Sequence, residues 1–259
     1  MVEDDQNTIV VGISGASSSG KTTLSRLLMI IFPNLLVLHE DDFFKPENEI
    51  PYKGGFQNWD CVQALSIENI IKSLKNVRQN GTIHENKEIK KSSLQFTEDE
   101  KNNSKLLVCK DVIMRIKDKI ETWSAPGQPG YSLRYKRICL FEGFLLYSRS
   151  TSEIWPYLDL KIFLQTSESF VKIHRKERSP YLTQEGFWED PPDYVNSIVW
   201  PNYCTEHEWL FENGDVEGQL LEMPDSQCKI LSLGGLDLDL ENALIRIVDL
   251  LMEELPKFC

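Results

Sequence analysis

The chain has 259 residues, with 40 Asp and Glu against 28 Lys and Arg and a formal net charge of −12. Such acidity repels nucleic-acid phosphates, and with no run of 18 apolar residues and no basic-then-apolar leader the sequence argues against a polynucleotide partner, a membrane span and a secretory signal. The length suits a single α/β unit over 1–259, and six cysteines (Cys61, Cys109, Cys139, Cys204, Cys228, Cys259) without C-x-x-C spacing fit reduced thiols in a cytoplasmic protein.

Thr8 to Ser14 is short and β-branched, as a buried parallel strand should be, and Thr22 to Phe32 carries Leu24, Leu27, Leu28 and Ile31 at helical spacing. Between them, Gly15-Ala16-Ser17-Ser18-Ser19-Gly20-Lys21-Thr22 matches G-x-x-x-x-G-K-[ST], the P-loop pattern. Amide N–H groups of residues 16 to 22 can converge on phosphate oxygens at the positive end of the helix. Lys21 is then expected at the β/γ-phosphates of a bound nucleoside triphosphate and Thr22 at Mg²⁺. The expected nucleotide set is Gly15, Ala16, Ser17, Ser18, Ser19, Gly20, Lys21, Thr22 and Thr23.

Leu35 to His39 reads as a second buried strand, followed by Glu40-Asp41-Asp42-Phe43-Phe44-Lys45-Pro46 at its carboxyl end, where parallel sheets place their sites. Either aspartate can accept the proton of an attacking hydroxyl or help to hold Mg²⁺. Residues 46 to 60 look like a substrate loop ending in Trp59-Asp60. Asp60 can take a pair of sugar hydroxyls while Trp59 packs on base or sugar, or it can cap a helix. Phe43 and Phe44 are substrate-facing or plain core.

Ser66 to Val77 predicts a helix capped by Ser66, residues 80 to 104 a polar surface insertion, Leu106 to Trp123 a strand or helix, and Ser124 to Gly130 a loop. The polar insertion as a whole is placed at about 80–135. Arg137 to Phe144 resembles a Walker B element whose Glu142 reaches Mg²⁺ through water. Leu158 to Leu164 is another strand, Ser167 to Arg178 a basic helix with Arg175 and Arg178 on one face, and 167–200 a lid region. His39, His84 and His207 read as structural or surface residues. Ile230 to Leu233 and Leu238 to Leu255 close the pattern as strand and amphipathic helix, so the expected fold is α/β, a doubly wound parallel sheet in a three-layer αβα arrangement.

These positions together resemble the nicotinamide riboside kinases, within the uridine-kinase-like and nucleoside-monophosphate-kinase-like P-loop group. The resemblance rests on residues 12 to 23, Asp41-Asp42-Phe43-Phe44-Lys45-Pro46, Asn58-Trp59-Asp60, Glu142-Gly143-Phe144-Leu145-Leu146 and Arg175 to Arg178. Phe187-Trp188-x-Asp190-Pro191-Pro192 and Asn213 to Gly218 look like its fungal branch. It implies transfer of the ATP γ-phosphate to the 5′-hydroxyl of nicotinamide riboside, with nicotinic acid riboside as a further substrate. It also implies that Asp41 is proton acceptor and metal-site residue beside Thr22 and Glu142. Phe44, Trp59, Asp60 and Arg175 would meet the riboside, His174 and Arg178 the ATP, and Leu231 to Leu233 would border the adenine. His174 stands where relatives often have an arginine, and Asp193-Tyr194-Val195 departs from their usual Tyr-Phe-Asp. The rival readings are a uridine/cytidine kinase, a GTPase-like switch and a P-loop scaffold without catalysis.

Overall fold

Eight consecutive buried residues, Thr8–Gly15, form β1, the centre of a five-stranded parallel sheet of order β2-β5-β1-β6-β9. The computed structural model describes residues 8–32, 34–82, 107–178, 181–183, 186–222 and 229–259. Its elements are β1, α1 (Lys21–Ile31), β2 (Leu35–His39), β3 (Tyr52–Lys53), β4 (Phe56–Gln57), α2 (Ile67–Asn80), α3 (Lys110–Trp123) and β5 (Arg137–Gly143). They continue with β6 (Leu160–Leu164), α4 (Glu168–Arg178), β7 (Tyr181–Thr183), β8 (Gly186–Trp188), α5 (Trp200–His207), β9 (Leu231–Ser232) and α6 (Leu240–Glu254).

Strand alternation sends Ile9, Val11 and Ile13 to one face of the sheet and Val10 to the other. The first face is covered by apolar residues of α1, α3 and α6, including Leu24, Ile116, Leu244 and Leu251. The second packs against Ile70, Leu74 and Val77 of α2, Val171 of α4 and Tyr203 of α5. Helices on both faces make this the doubly wound three-layer fold. The chain runs from β1 past β5 to the edge strand β2, and returns later to β6 on the opposite side of β1. Chain order therefore reverses across β1, which marks its carboxyl end as the natural ligand crevice.

Several elements differ from the sequence reading in detail. Leu106 to Trp123 resolves as the helix α3, because Val112, Ile113, Ile116 and Ile120 recur at helical spacing and are buried together. Of the stretch 80–135, that helix joins the main core, while residues 83–106, with His84, lie outside the described residues. Ser66 stands at the head of α2 without a side-chain capping bond, so the expected cap is not made; the helix ends instead on Gly81, left-handed at φ +63°, whose N–H reaches Val77 O. Residues 46 to 60 contain the small hairpin β3–β4. The strand at Ile230 to Leu233 shrinks to two residues, paired with β6. Cys61, Cys109, Cys139, Cys204 and Cys259 are free thiols. No helix among the described residues is long and apolar enough to cross a membrane.

Candidate active site

A cleft of about 740 Å³ opens at the carboxyl end of β1 and runs from Thr22, Asp41 and Glu142 to Leu233, Leu238 and Ala243. The glycine loop lies along one side. Gly15 starts that loop where β1 and β6 come so close that a Cβ would sit 2.4 Å from Leu164 O, leaving room only for glycine. Ser18 and Gly20 are both left-handed, at φ +63° and +89°, and these two reversals within three residues curl the loop into a concave amide surface. Lys21 opens α1 with its side chain buried in that curl. Its Nζ donates to Gly15 O at 3.0 Å, Ala16 O at 2.8 Å and Ser19 Oγ at 3.3 Å.

Glu142, near the end of β5, stands opposite His39 in the β2–β5 register. Its Oε1 accepts from Thr22 Oγ1 at 2.7 Å and lies 2.6 Å from His39 Nδ1. Burial works against charge on both, lowering His39 and raising Glu142. Their mutual hydrogen bond and Coulomb attraction, helped at Glu142 by Lys21 and Thr22, reverse this, so His39 titrates above 6.5 and Glu142 below 4.5. The Glu142 contribution to stability is complete above 4.5 and lost as pH falls through its depressed value; that of His39 is complete below 6.5 and lost as pH rises through its raised value. The pair should therefore stabilise the fold most between 4.5 and 6.5. A His39→Gln variant should lose stability chiefly in that window, and denaturant melts across pH would refute the pairing if both proteins gave parallel curves.

The turn after β2, Glu40–Phe43, is a 3-10 segment that sorts the acidic run. Asp41 is exposed and faces the cleft, whereas Asp42 is buried and does not line it. Glu40 is fully buried, and its Oε2 accepts from Phe144 N at 2.7 Å and Leu145 N at 3.0 Å. It sits against Gly143, where a Cβ would lie 2.4 Å from that oxygen. Burial raises Glu40 from 4.5 to about 8, against the pull of those N–H groups and of Lys21. Glu40→Ala should cost about 2–5 kcal/mol, since the buried N–H of Leu145 and the half-buried N–H of Phe144 lose their acceptor. Glu40→Gln keeps an acceptor without the charge. The unfolded chain releases the Glu40 proton near 4.5 and the folded chain holds it to about 8, so wild-type stability falls as pH rises between them. Relative to wild type, Glu40→Gln should gain stability across that interval; melts showing a constant difference would refute it.

The residues expected at the riboside gather beside the cleft. Phe44 packs edge-on against Trp59, with ring centroids 5.4 Å apart, and tilts over Phe144 at 6.1 Å. Asp60 is buried and lines a crevice of only about 10 Å³ that shares Ser17 and Phe144 with the main cleft. It caps no helix. Its Oδ2 accepts from Tyr194 Oη at 3.2 Å, and both its oxygens face Arg175. Neither Trp59 nor Phe44 lines the main cleft, and Arg175 bonds to Asp60 and Ser17. His174 does line the cleft, its ring tilted 48° against that of Phe170 at 4.0 Å between centroids. Arg178 ends α4 with its side chain outside the described residues.

The sequence reading assigned no site role to His39, Glu40, Asp190 or Tyr194. His39 ends a strand just before the acidic run, which is a signal in itself; Glu40 had none, because its role depends on a backbone turn 104 residues away.

No family model matches the chain. It is similar to a Schizosaccharomyces pombe protein named nicotinamide riboside kinase, at 35% identity over 217 residues, 84% of this chain and 86% of that one. The Saccharomyces cerevisiae protein of the same name is 33% identical over 219 residues, 83% and 84% of the two chains. Human nicotinamide riboside kinase 1 is 27% identical over 252 residues, 96% of this chain and 95% of its own. With 35% identity sustained over most of both lengths, the chain belongs to the nicotinamide riboside kinase family.

Proposed function

We propose that the protein transfers the γ-phosphoryl group of ATP to the 5′-hydroxyl of nicotinamide riboside, giving nicotinamide mononucleotide and ADP. The observation that carries this reading is a cleft lined by phosphate-handling residue types with the Asp60 crevice beside it. Lys21, Thr22, Asp41 and Glu142 meet at the end of the main cleft, and Asp60 lies in the crevice that shares Ser17 and Phe144 with it. The apolar far end, with Leu233 and Leu238, suits an adenine ring.

Asp41 accepts the proton as the hydroxyl oxygen attacks the γ-phosphorus, and the bond to the ADP oxygen breaks as the new P–O bond forms. Lys21 meets the charge on the transferred group and the departing diphosphate, held in place by its bonds within the loop. Asp60 and Arg175 orient the ribose. Thr22, Asp41 and Glu142 offer two carboxylates and a hydroxyl, the hard oxygen donors that Mg²⁺ takes alongside phosphate oxygens and water. The 2.7 Å approach of Thr22 Oγ1 to Glu142 Oε1 on the cleft wall, next to exposed Asp41, fits that cation. Bound there, Mg²⁺ would supply electrostatic stabilisation of the phosphates.

A panel of nicotinamide riboside, nicotinic acid riboside and uridine, each incubated with ATP and read by product mass, tests the assignment. The expected result is one added phosphoryl group on nicotinamide riboside with ADP formed in step. Faster turnover of uridine would favour the pyrimidine kinase reading, and no turnover of any riboside would favour a binding scaffold.

A further inference from the structure

Arg175 is 5% exposed, and its guanidinium reaches Asp190, Ser17 and Asp60, which lie 15, 158 and 115 residues away in the chain. Nε and Nη2 donate to Asp190 Oδ2 and Oδ1 at 2.5 and 3.1 Å, and Nη1 donates to Ser17 Oγ at 2.7 Å. The bonds to Asp60 are longer, 3.3 Å from Nη1 to Oδ1 and 3.4 Å from Nη2 to Oδ2. The ring of Tyr194 lies 5.6 Å from the guanidinium carbon. Asp190 thus grips one edge of the fork while the other edge reaches the glycine loop and the riboside loop together.

We propose that Asp190 is a positioning residue for the acceptor riboside, fixing Arg175 between Ser17 and Asp60. The proposal rests on the reading of Asp60 and Arg175 as the ribose contacts. Its physical basis is twofold. An arginine side chain has many rotamers, and a bidentate carboxylate at its Nε edge removes that freedom before substrate arrives. Asp190 is itself restrained, since it precedes Pro191 and Pro192, which limit the backbone on both sides of the junction. Sharing one guanidinium between two carboxylates also weakens its hold on Asp60. Asp60 then keeps the capacity to accept bonds from sugar hydroxyls, where a closed one-to-one pair would have to be broken first. Loss of Asp190 loosens Arg175 and tightens that pair, and both changes weaken riboside binding.

The test compares Asp190→Asn and Asp190→Glu with wild type, alone and in an Arg175→Ala background. Riboside affinity is read as KM and by calorimetric titration, alongside kcat, KM for ATP and Tm. Asp190→Asn should raise the riboside KM and dissociation constant roughly 10- to 100-fold, as expected for a charge-assisted hydrogen bond. kcat and the KM for ATP should stay near wild type. Asp190→Glu should recover part of the loss, and in the Arg175→Ala background Asp190→Asn should add nothing, because the residue it acts through is gone. Additive losses, an equal rise in the KM for ATP, or an unchanged riboside KM with a lowered Tm would each overturn the proposal. If the wild type phosphorylates uridine and ignores nicotinamide riboside, the substrate assignment fails, and the same comparison made on uridine still decides the role of Asp190.

Discussion

An Asp41→Ala variant is expected to lose about three decades of kcat, within the 10²–10⁴ range of a general base, while its Tm stays close to that of the parent. The reason for the intact fold is on the surface of the molecule. Asp41 is exposed within the 3-10 turn, unlike its buried neighbours Glu40 and Asp42, so its removal opens no cavity in the core. The reason for the lost rate is the position of Asp41 at the Thr22–Glu142 end of the cleft, where the attacking hydroxyl has to shed its proton. Asp41→Asn should behave likewise, since an amide cannot take that proton. Rapid-quench measurement of the chemical step with a parallel thermal melt checks both halves. Near-normal turnover would move the base elsewhere, and a collapsed melt would make Asp41 structural.

Lys21→Met should lower kcat by about 10²–10³, the scale of a lost donor aimed at developing charge. Methionine keeps the buried stem of Lys21 and removes only the ammonium. The carbonyls of Gly15 and Ala16 lose their donor, but a buried positive charge disappears with it, so the net stability change should be small beside the kinetic one. Arginine should not rescue, because Lys21 is enclosed by the loop and a planar fork does not fit a pocket built for a compact ammonium. The Asp41→Ala, Lys21→Met double variant should lose less than the product of the single losses, as groups that act on one transition state do. Steady-state kinetics under saturating ATP measure this. A fully multiplicative loss would mean that the two residues contribute independently, without the coupling expected of groups that act as a unit.

Much of the site was legible before any fold was known, because its parts are local. The order of strand, glycine loop and helix, the G-x-x-x-x-G-K-T spacing, and a carboxylate near the end of an apolar strand at Glu142 are each written in fewer than a dozen neighbouring residues. The helical period of α2 and α6 is equally local, since it follows from which residues recur on one face, whereas Leu106 to Trp123 stayed open between strand and helix. Cap formation at Ser66 was misjudged: the residue type favours a cap, but the side-chain rotamer that makes one is chosen by the surroundings.

What the amino-acid order determined by itself was the fold class and the phosphate-handling loop, since backbone propensity and burial pattern act over a few residues. Only the tertiary structure decided that Asp42 is buried away from the cleft, that His39 stands across from Glu142, that Glu40 closes on Phe144 and Leu145, and that Arg175 is shared by Asp60, Asp190 and Ser17. Those pairings join positions as much as 158 residues apart. They are set by the register of the whole sheet and the packing of both its faces, which is a cooperative property of the folded chain and leaves no pattern in any short stretch of it.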